Sequence, residues 1–235
     1  MKVGLLLLES TYMTVPGGMG HPDTFDFPTE RVRVDGAQTS VVVSDGYGSL
    51  ADVYVAAAKE MGQRGADIVA TNCGFTVVFQ DAIAEATGLP TFTSALLLAP
   101  LLARMYSNRL GILSFDASSI DAARRQAAGW PADLILPIAD VQSSSEWRKL
   151  RDVQTPDLDH VRMKEDLLEI AADFVRETDV GALLIECTAM LPFETALYET
   201  VGLPMYDSPA ILKLLVDRTN GVGLTDQIRS AKSTH

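Results

Sequence analysis

Two thiols are the side chains in this chain whose type and placement best suit chemistry. Cys73 and Cys187 are the only cysteines, 114 positions apart in a chain of 235 residues. A free thiol ionises near pH ~8.5, close enough to neutrality for thiol and thiolate both to be populated. One thiol can therefore take a proton and another return it, or a thiolate can add to carbon as a nucleophile. Two cysteines do not make a zinc site, and His21, His160 and His235 show no ligand spacing relative to them. No phosphate-binding P-loop, dinucleotide fingerprint or G-x-S-x-G elbow is present, and Gly17-Gly18-Met19-Gly20 lacks the full glycine spacing of a nucleotide loop. Nothing in the sequence calls for a metal, flavin, nicotinamide or pyridoxal cofactor.

The setting of the two thiols repeats. The shift that carries Cys73 to Cys187 also carries Phe79 to Phe193, Ala82 to Ala196 and Glu85 to Glu199. It carries Gly88-Leu89-Pro90 to Gly202-Leu203-Pro204, and Ser94 to Ser208. A second echo, at an offset of 107, links Val3-Gly4-Leu5-Leu6 to Leu110-Gly111-Ile112-Leu113. An insertion such as the polar segment Ala139–Asp157 is the expected source of the difference between the two offsets. Self-similarity over so long a stretch signals two structurally similar halves. Free cysteines are often inert, buried small hydrophobes; a cysteine kept at the matching place in each half weighs against that reading here.

The elements that must position the thiols follow from hydrophobic periodicity and from Gly and Pro punctuation. Strands are expected at Val3–Leu8, Ile68–Ala70, Thr91–Thr93, Leu110–Ser114, Leu134–Leu136, Ala182–Ile185 and Met205–Tyr206. Helices are expected at Ser49–Arg64, Thr76–Ala86, Ala95–Met105, Ser118–Ala128, Asp159–Thr178, Leu191–Thr200 and Pro209–Asp217. Val32–Val43 reads as a hairpin or an extended pair of strands. Thr14–Pro28 reads as a loop whose Pro16–Gly20 stretch is either an anion-binding amide cluster or plain surface, and Ala139–Asp157 reads as partly irregular. Alternation of this kind predicts an α/β fold of two similar parallel-sheet lobes related by a pseudo-twofold, with the active site in the cleft between them. The first lobe would comprise 1–98 plus 208–235, and the second 99–207. Each cysteine then lies just past the carboxyl end of a parallel strand, where open α/β sheets bind ligands.

Composition narrows the partners. Apolar residues make up 47% of the chain, enough for a sizeable core, and the formal charge of −12 argues against nucleic-acid and anionic-membrane partners. No apolar run approaches a membrane span, and Leu5–Leu8 is too short for the core of a signal peptide. A cytoplasmic location with reduced thiols is the expectation.

The motifs around the cysteines, Ala70–Phe75 (ATNCGF) and Ile185–Phe193 (IECTAMLPF), resemble the two cysteine motifs of the aspartate/glutamate racemase superfamily, which also contains hydantoin racemases, maleate isomerases and arylmalonate decarboxylases. The resemblance covers nearly the whole chain, including the opening KVGLLLLES, the GGMGHPDTFDFP loop and GILSFDASSI. Three departures argue against glutamate as the substrate. Gly74-Phe75 follows the first cysteine where glutamate racemases usually have Asn-Thr, Ala189 replaces a His, and Glu9-Ser10 replaces Asp-Ser.

The resemblance implies a cofactor-independent racemase or epimerase acting on a carbon next to a carboxylate, with Cys73 and Cys187 as acid and base on opposite faces of the substrate. It also implies a small carboxylate substrate and a homodimer. A helix pattern after each cysteine would favour the thiolate and bind the carboxylate. Backbone amides at Gly74–Thr76 and Thr188–Ala189 are candidate donors to an enediolate, and the hydroxyls of Thr76 and Thr188 are donors or helix caps. Asn72 is a candidate substrate or loop partner, Ser10 a candidate carboxylate ligand, and Phe75 a candidate pocket wall. Glu186 faces the cleft or points away from it with equal expectation. The competing readings are a maleate-isomerase-like cis–trans isomerase, a decarboxylase that needs a single cysteine, and a noncatalytic carboxylate-binding protein.

Overall fold

The computed structural model describes residues 1–9, 15–153 and 157–221. Its first sheet contains β1 (Val3–Leu7), β2 (Thr29–Arg33), β3 (Ile68–Thr71) and β4 (Thr91–Phe92), in the order β2-β1-β3-β4 with every pair parallel. Its second sheet contains β5 (Leu110–Ser114), β6 (Ile138–Asp140), β7 (Ala182–Ile185) and β8 (Met205–Tyr206), in the equivalent parallel order β6-β5-β7-β8. The expected two-lobed parallel α/β fold is the observed one.

The glycine of the 107-offset echo has a packing cause in both lobes. A Cβ on Gly4 would lie 2.9 Å from Met61 Cβ on helix α2 (Ala51–Gln63), α1 being the short helix Thr39–Val43. The helices that follow are α3 (Gln80–Thr87), α4 (Ala99–Met105), α5 (Ala122–Ala127), α6 (Ser145–Asp152) and α7 (His160–Glu177). A Cβ on Gly111 would lie 2.7 Å from Phe174 on α7. Each central strand thus lets one long helix settle directly onto its backbone.

Two expectations fail. Val32–Val43 is not a pair of strands: β2 ends at Arg33 and Thr39–Val43 turns into α1. The Val41–Val43 run reads as β by propensity, but Val42 and Val43 are buried in the main core, and that packing overrides the weak local preference. The strand expected at Leu134–Leu136 forms instead at Ile138–Asp140. Leu136 is buried without joining the ladder, Ile135 is exposed, and the Pro137 carbonyl accepts from Ile112 N at 3.0 Å just before pairing begins. Within Ala139–Asp157 the structure forms α6, capped by Ser144.

The helices after the fourth strands exchange sheets. Leu102 and Ala103 of α4 share a core cluster with Leu110 of β5. Past α8 (Glu194–Val201), the helix α9 (Ser208–Thr219) sends Leu212 and Val216 back against Val3, Leu5 and Ile68 of the first sheet. Among the described residues no helix is long and apolar enough to cross a membrane.

Candidate active site

Each thiol sits where a strand gives way to a helix. Past β3 the chain stays extended through Cys73 (φ −140°) and then tightens into a 3₁₀ turn, Gly74–Phe79, that runs into α3. Past β7 it passes through Cys187 into the matching turn Thr188–Phe193, which runs into α8. The two helices end alike, on Gly88 (φ 65°) and Gly202 (φ 64°) in the left-handed region, which glycine enters without strain. The 3₁₀ turns begin directly after the cysteines, two or three residues before the helices that periodicity predicts, because a tight i to i+3 turn has no 3.6-residue signature.

The two cysteines, one from each lobe, line one cavity between the sheets, which encloses about 420 Å³ of atom-free space including its mouth. Asn72, Gly74 and Phe75 from the first lobe, and Glu186, Thr188 and Ala189 from the second, complete its floor. Leu8, Thr39, Val43, Phe115 and Leu150 add further walls, so most of the lining is apolar. Thr39 and Leu150 also border a wider outer cleft that includes Glu9, Gln38 and Arg151. The cavity therefore meets that cleft between α1 and α6.

Three of the segments singled out in the sequence take definite places. The Thr76 side chain is not part of the lining: its hydroxyl is buried 2.6 Å from that of Thr71 and within reach of the carbonyls of Cys73 and Thr93, so it braces the turn. The Thr188 hydroxyl donates across the lobes to the Asn72 carbonyl and holds the lobes together there. The Pro16–Gly20 stretch does not line the cavity; Gly17 packs against Pro192 and Met19 is buried in the smaller core. Ser10 lies outside the described residues.

Glu186 is the site residue that the sequence reading left open. It is buried on the cavity wall, and its Oε2 accepts from Ser114 Oγ at 2.9 Å and from Phe115 N at 3.2 Å. Its Oε1 has no hydrogen-bond partner. Such a buried unpaired oxygen costs about 1–3 kcal/mol. Gly74 makes room for this carboxyl group, since a Cβ there would stand 2.3 Å from Oε1. The 114-residue offset pairs Glu186 with Asn72, and that was the signal available in the sequence. Asn72 mirrors it: Oδ1 accepts from Leu8 N at 2.9 Å, while Nδ2 is buried without a partner. The Leu8 N–H fixes which end of the amide is oxygen.

Burial sets the charge states. It lifts Glu186 from 4.5 to about 7, against the hydrogen bonds from Ser114 and Phe115 and the Arg124 cation, which pull the other way. Burial first, and the Glu186 charge second, push Cys73 up to about 12 and Cys187 well above its ordinary value. Backbone amides favour the thiolates, those of Phe75 and Thr76 at Cys73 and of Ala189 and Met190 at Cys187, but the enclosed setting outweighs them. Arg124 is fully buried behind the lining. It donates to Ser119 O at 2.9 Å and across the lobes to Val42 O at 2.8 Å, and it lies over the rings of Tyr47 and Phe75. Among the described residues no cluster of His, Cys, Asp and Glu could hold a metal ion.

Comparison with known proteins gives this geometry a context. A dimethylsulfoniopropionate lyase from Durusdinium sp. clade D is 25% identical over 88% of this chain and 71% of its own length. An allantoin racemase from Klebsiella pneumoniae superposes with a TM-score of 0.63 at 14% identity, over 95% of this chain and 90% of that one. An arylmalonate decarboxylase superposes with a TM-score of 0.55 at 16% identity, over 89% of each chain. These two structures share the fold. The sequence model of Asp/Glu/Hydantoin racemases matches residues 34–213, from the end of β2 into α9 and across both cysteine turns, and the chain belongs to that family.

Proposed function

We propose that this protein is a cofactor-independent enzyme that removes and returns a proton on the carbon next to a carboxylate, with Cys73 and Cys187 as the base and acid on opposite faces of the substrate. The observation that carries this reading is the placement of one thiol from each lobe on the wall of a single small cavity. A planar enediolate between two sulfurs can be protonated from either side, so inversion needs one group per face. Backbone amides at the start of the two turns, those of Phe75 and Ala189 beside the sulfurs among them, are the donors suited to the developing oxyanion. The largely apolar walls keep water from competing for the carbanion. Burial and the Glu186 charge favour the protonated form of both thiols, so substrate binding has to help ionise the one that acts as base.

A second reading shares the first step. The likeness to a dimethylsulfoniopropionate lyase favours elimination: a thiolate takes the α-proton, the β-carbon–sulfur bond breaks with its electron pair leaving on sulfur, and a carbon–carbon double bond forms. Both readings require α-proton removal and part only afterwards.

The test is incubation of the wild-type protein in deuterated water with amino acids, hydantoins, dicarboxylates and dimethylsulfoniopropionate, followed by NMR. Deuterium at the α-carbon with loss of optical purity supports racemisation. Release of an alkene acid and dimethyl sulfide supports elimination. Binding without exchange or conversion of any of them contradicts both and leaves a carboxylate-binding protein.

A further inference from the structure

The cavity carries two polar atoms that the protein leaves unsatisfied. Asn72 Nδ2 is a donor and Glu186 Oε1 an acceptor; both are buried without a hydrogen-bond partner, and both residues belong to the cavity wall. They come from equivalent places in the two lobes. Each residue is tethered by its other polar atom to the amide that follows the central strand, Asn72 Oδ1 accepting from Leu8 N and Glu186 Oε2 from Phe115 N. Among the described residues no Lys or Arg lines the cavity, and the nearby Arg124 is committed to Val42, Ser119 and Asp121. The polar groups of the wall that await a partner are therefore a neutral amide donor and a carboxyl group.

We propose that Asn72 and Glu186 form a polar recognition pair that selects small zwitterionic carboxylates, with Asn72 Nδ2 donating to the carboxylate and Glu186 Oε1 facing a cationic group at the other end of the molecule. A dicarboxylate would place its second negative charge against Glu186 with no cation to receive it, and a simple monocarboxylate would leave Oε1 unpaired. The inference rests on the reading of the cavity as a carboxylate substrate site and names its substrate class. It also supplies the ionisation step. After burial, the Glu186 charge is the largest influence holding both thiols protonated, so a substrate cation beside Glu186 offsets that field as it binds.

The test uses three probes of similar size, β-alanine, propionate and malonate, and reads their protection of Cys73 and Cys187 from iodoacetamide by mass spectrometry. The wild-type protein should bind β-alanine about tenfold or more tightly than propionate, as a charge-assisted contact gives, and malonate most weakly. Glu186→Gln should erase the advantage of β-alanine over propionate, and Asn72→Ala should weaken both alike. In the unliganded Glu186→Gln protein, alkylation of the thiols should begin at lower pH, which a merely structural glutamate would not cause. Malonate binding as tightly as β-alanine, or a Glu186→Gln protein that keeps the tenfold preference, would overturn the proposal.

If Glu186→Gln does not fold, pH dependence decides. The groups around the Glu186 carboxyl are Ser114, the Phe115 amide, Asp116, Arg124 and the two thiols. The β-alanine advantage should fade as pH drops through about 7 and Glu186 takes up its proton. Ser114→Ala removes a hydrogen bond that favours the carboxylate, so it should move that midpoint upward; an unmoved midpoint overturns the assignment. Absence of α-exchange with every acid, alongside an intact zwitterion preference, would sink the catalytic reading and leave the recognition pair standing.

Discussion

The two lobes agree in strand order, in the turn that follows each cysteine and in the glycine that ends each helix, yet they differ at three matched positions on the cavity wall, Phe75 against Ala189 among them. Where the first lobe has Asn72 and Gly74, the second has Glu186 and Thr188. The differences interlock: Gly74 gives up a side chain where the Glu186 carboxyl sits, and Thr188 extends a hydroxyl to the Asn72 carbonyl. The repeated backbone thus supplies one sulfur from each lobe, while the polar side chains next to them in sequence differ. In the proposed mechanism the paired sulfurs serve the two faces of one carbon, and the unlike neighbours, Asn72 and Glu186, orient the substrate.

The largest effect should come from the residues in which the lobes agree. Cys73→Ser and Cys187→Ser should each lower turnover by about a thousandfold, within the range of positioned acid–base groups. A variant with wild-type turnover would remove its sulfur from the mechanism.

The next effect separates the lobes by charge. Glu186 is raised from 4.5 to about 7, so between those values the folded protein holds a proton that the unfolded chain has released. Stability should therefore fall as pH rises through that window, with Glu186 contributing about 3 kcal/mol in all. Urea melts from pH 4.5 to 8 read this directly; Glu186→Gln should flatten that part of the profile, whereas Asn72→Ala should leave its slope intact.

Smaller effects belong to the interlocking pair. Gly74→Ala should cost about 2 kcal/mol, because the new Cβ would stand 2.8 Å from the Glu186 backbone oxygen as well as 2.3 Å from Oε1. Thr188→Ala, which removes only a hydroxyl, should cost about 1 kcal/mol. Denaturant melts that reverse this order would show that the lobes do not interlock as described.

Much of this architecture is legible in the residues. The strands at Leu110–Ser114, Ala182–Ile185 and Met205–Tyr206 fall where apolar runs place them, and the repeat locates both cysteines past strand ends. The α1 helix is hidden because its valines follow packing over propensity, and β6 because Pro137 delays pairing until after the apolar triplet. The direction of the Glu186 side chain is ambiguous at a strand end, although its pairing with Asn72 through the repeat was there to be read. The thiol charge states were not legible, since helix dipoles can be inferred from sequence but the extent of burial cannot. That is why the helix starts expected to favour a thiolate are outweighed by burial, which pushes both thiols up.

The most direct measurement follows α-proton exchange in deuterated water for each single-cysteine protein, supplied separately with the two enantiomers of whichever acid the wild type turns over. With one sulfur on each face, Cys73→Ser should exchange only one enantiomer and Cys187→Ser only its mirror image. Exchange of the same enantiomer by both variants, or full interconversion by either, would contradict a cavity worked from two sides.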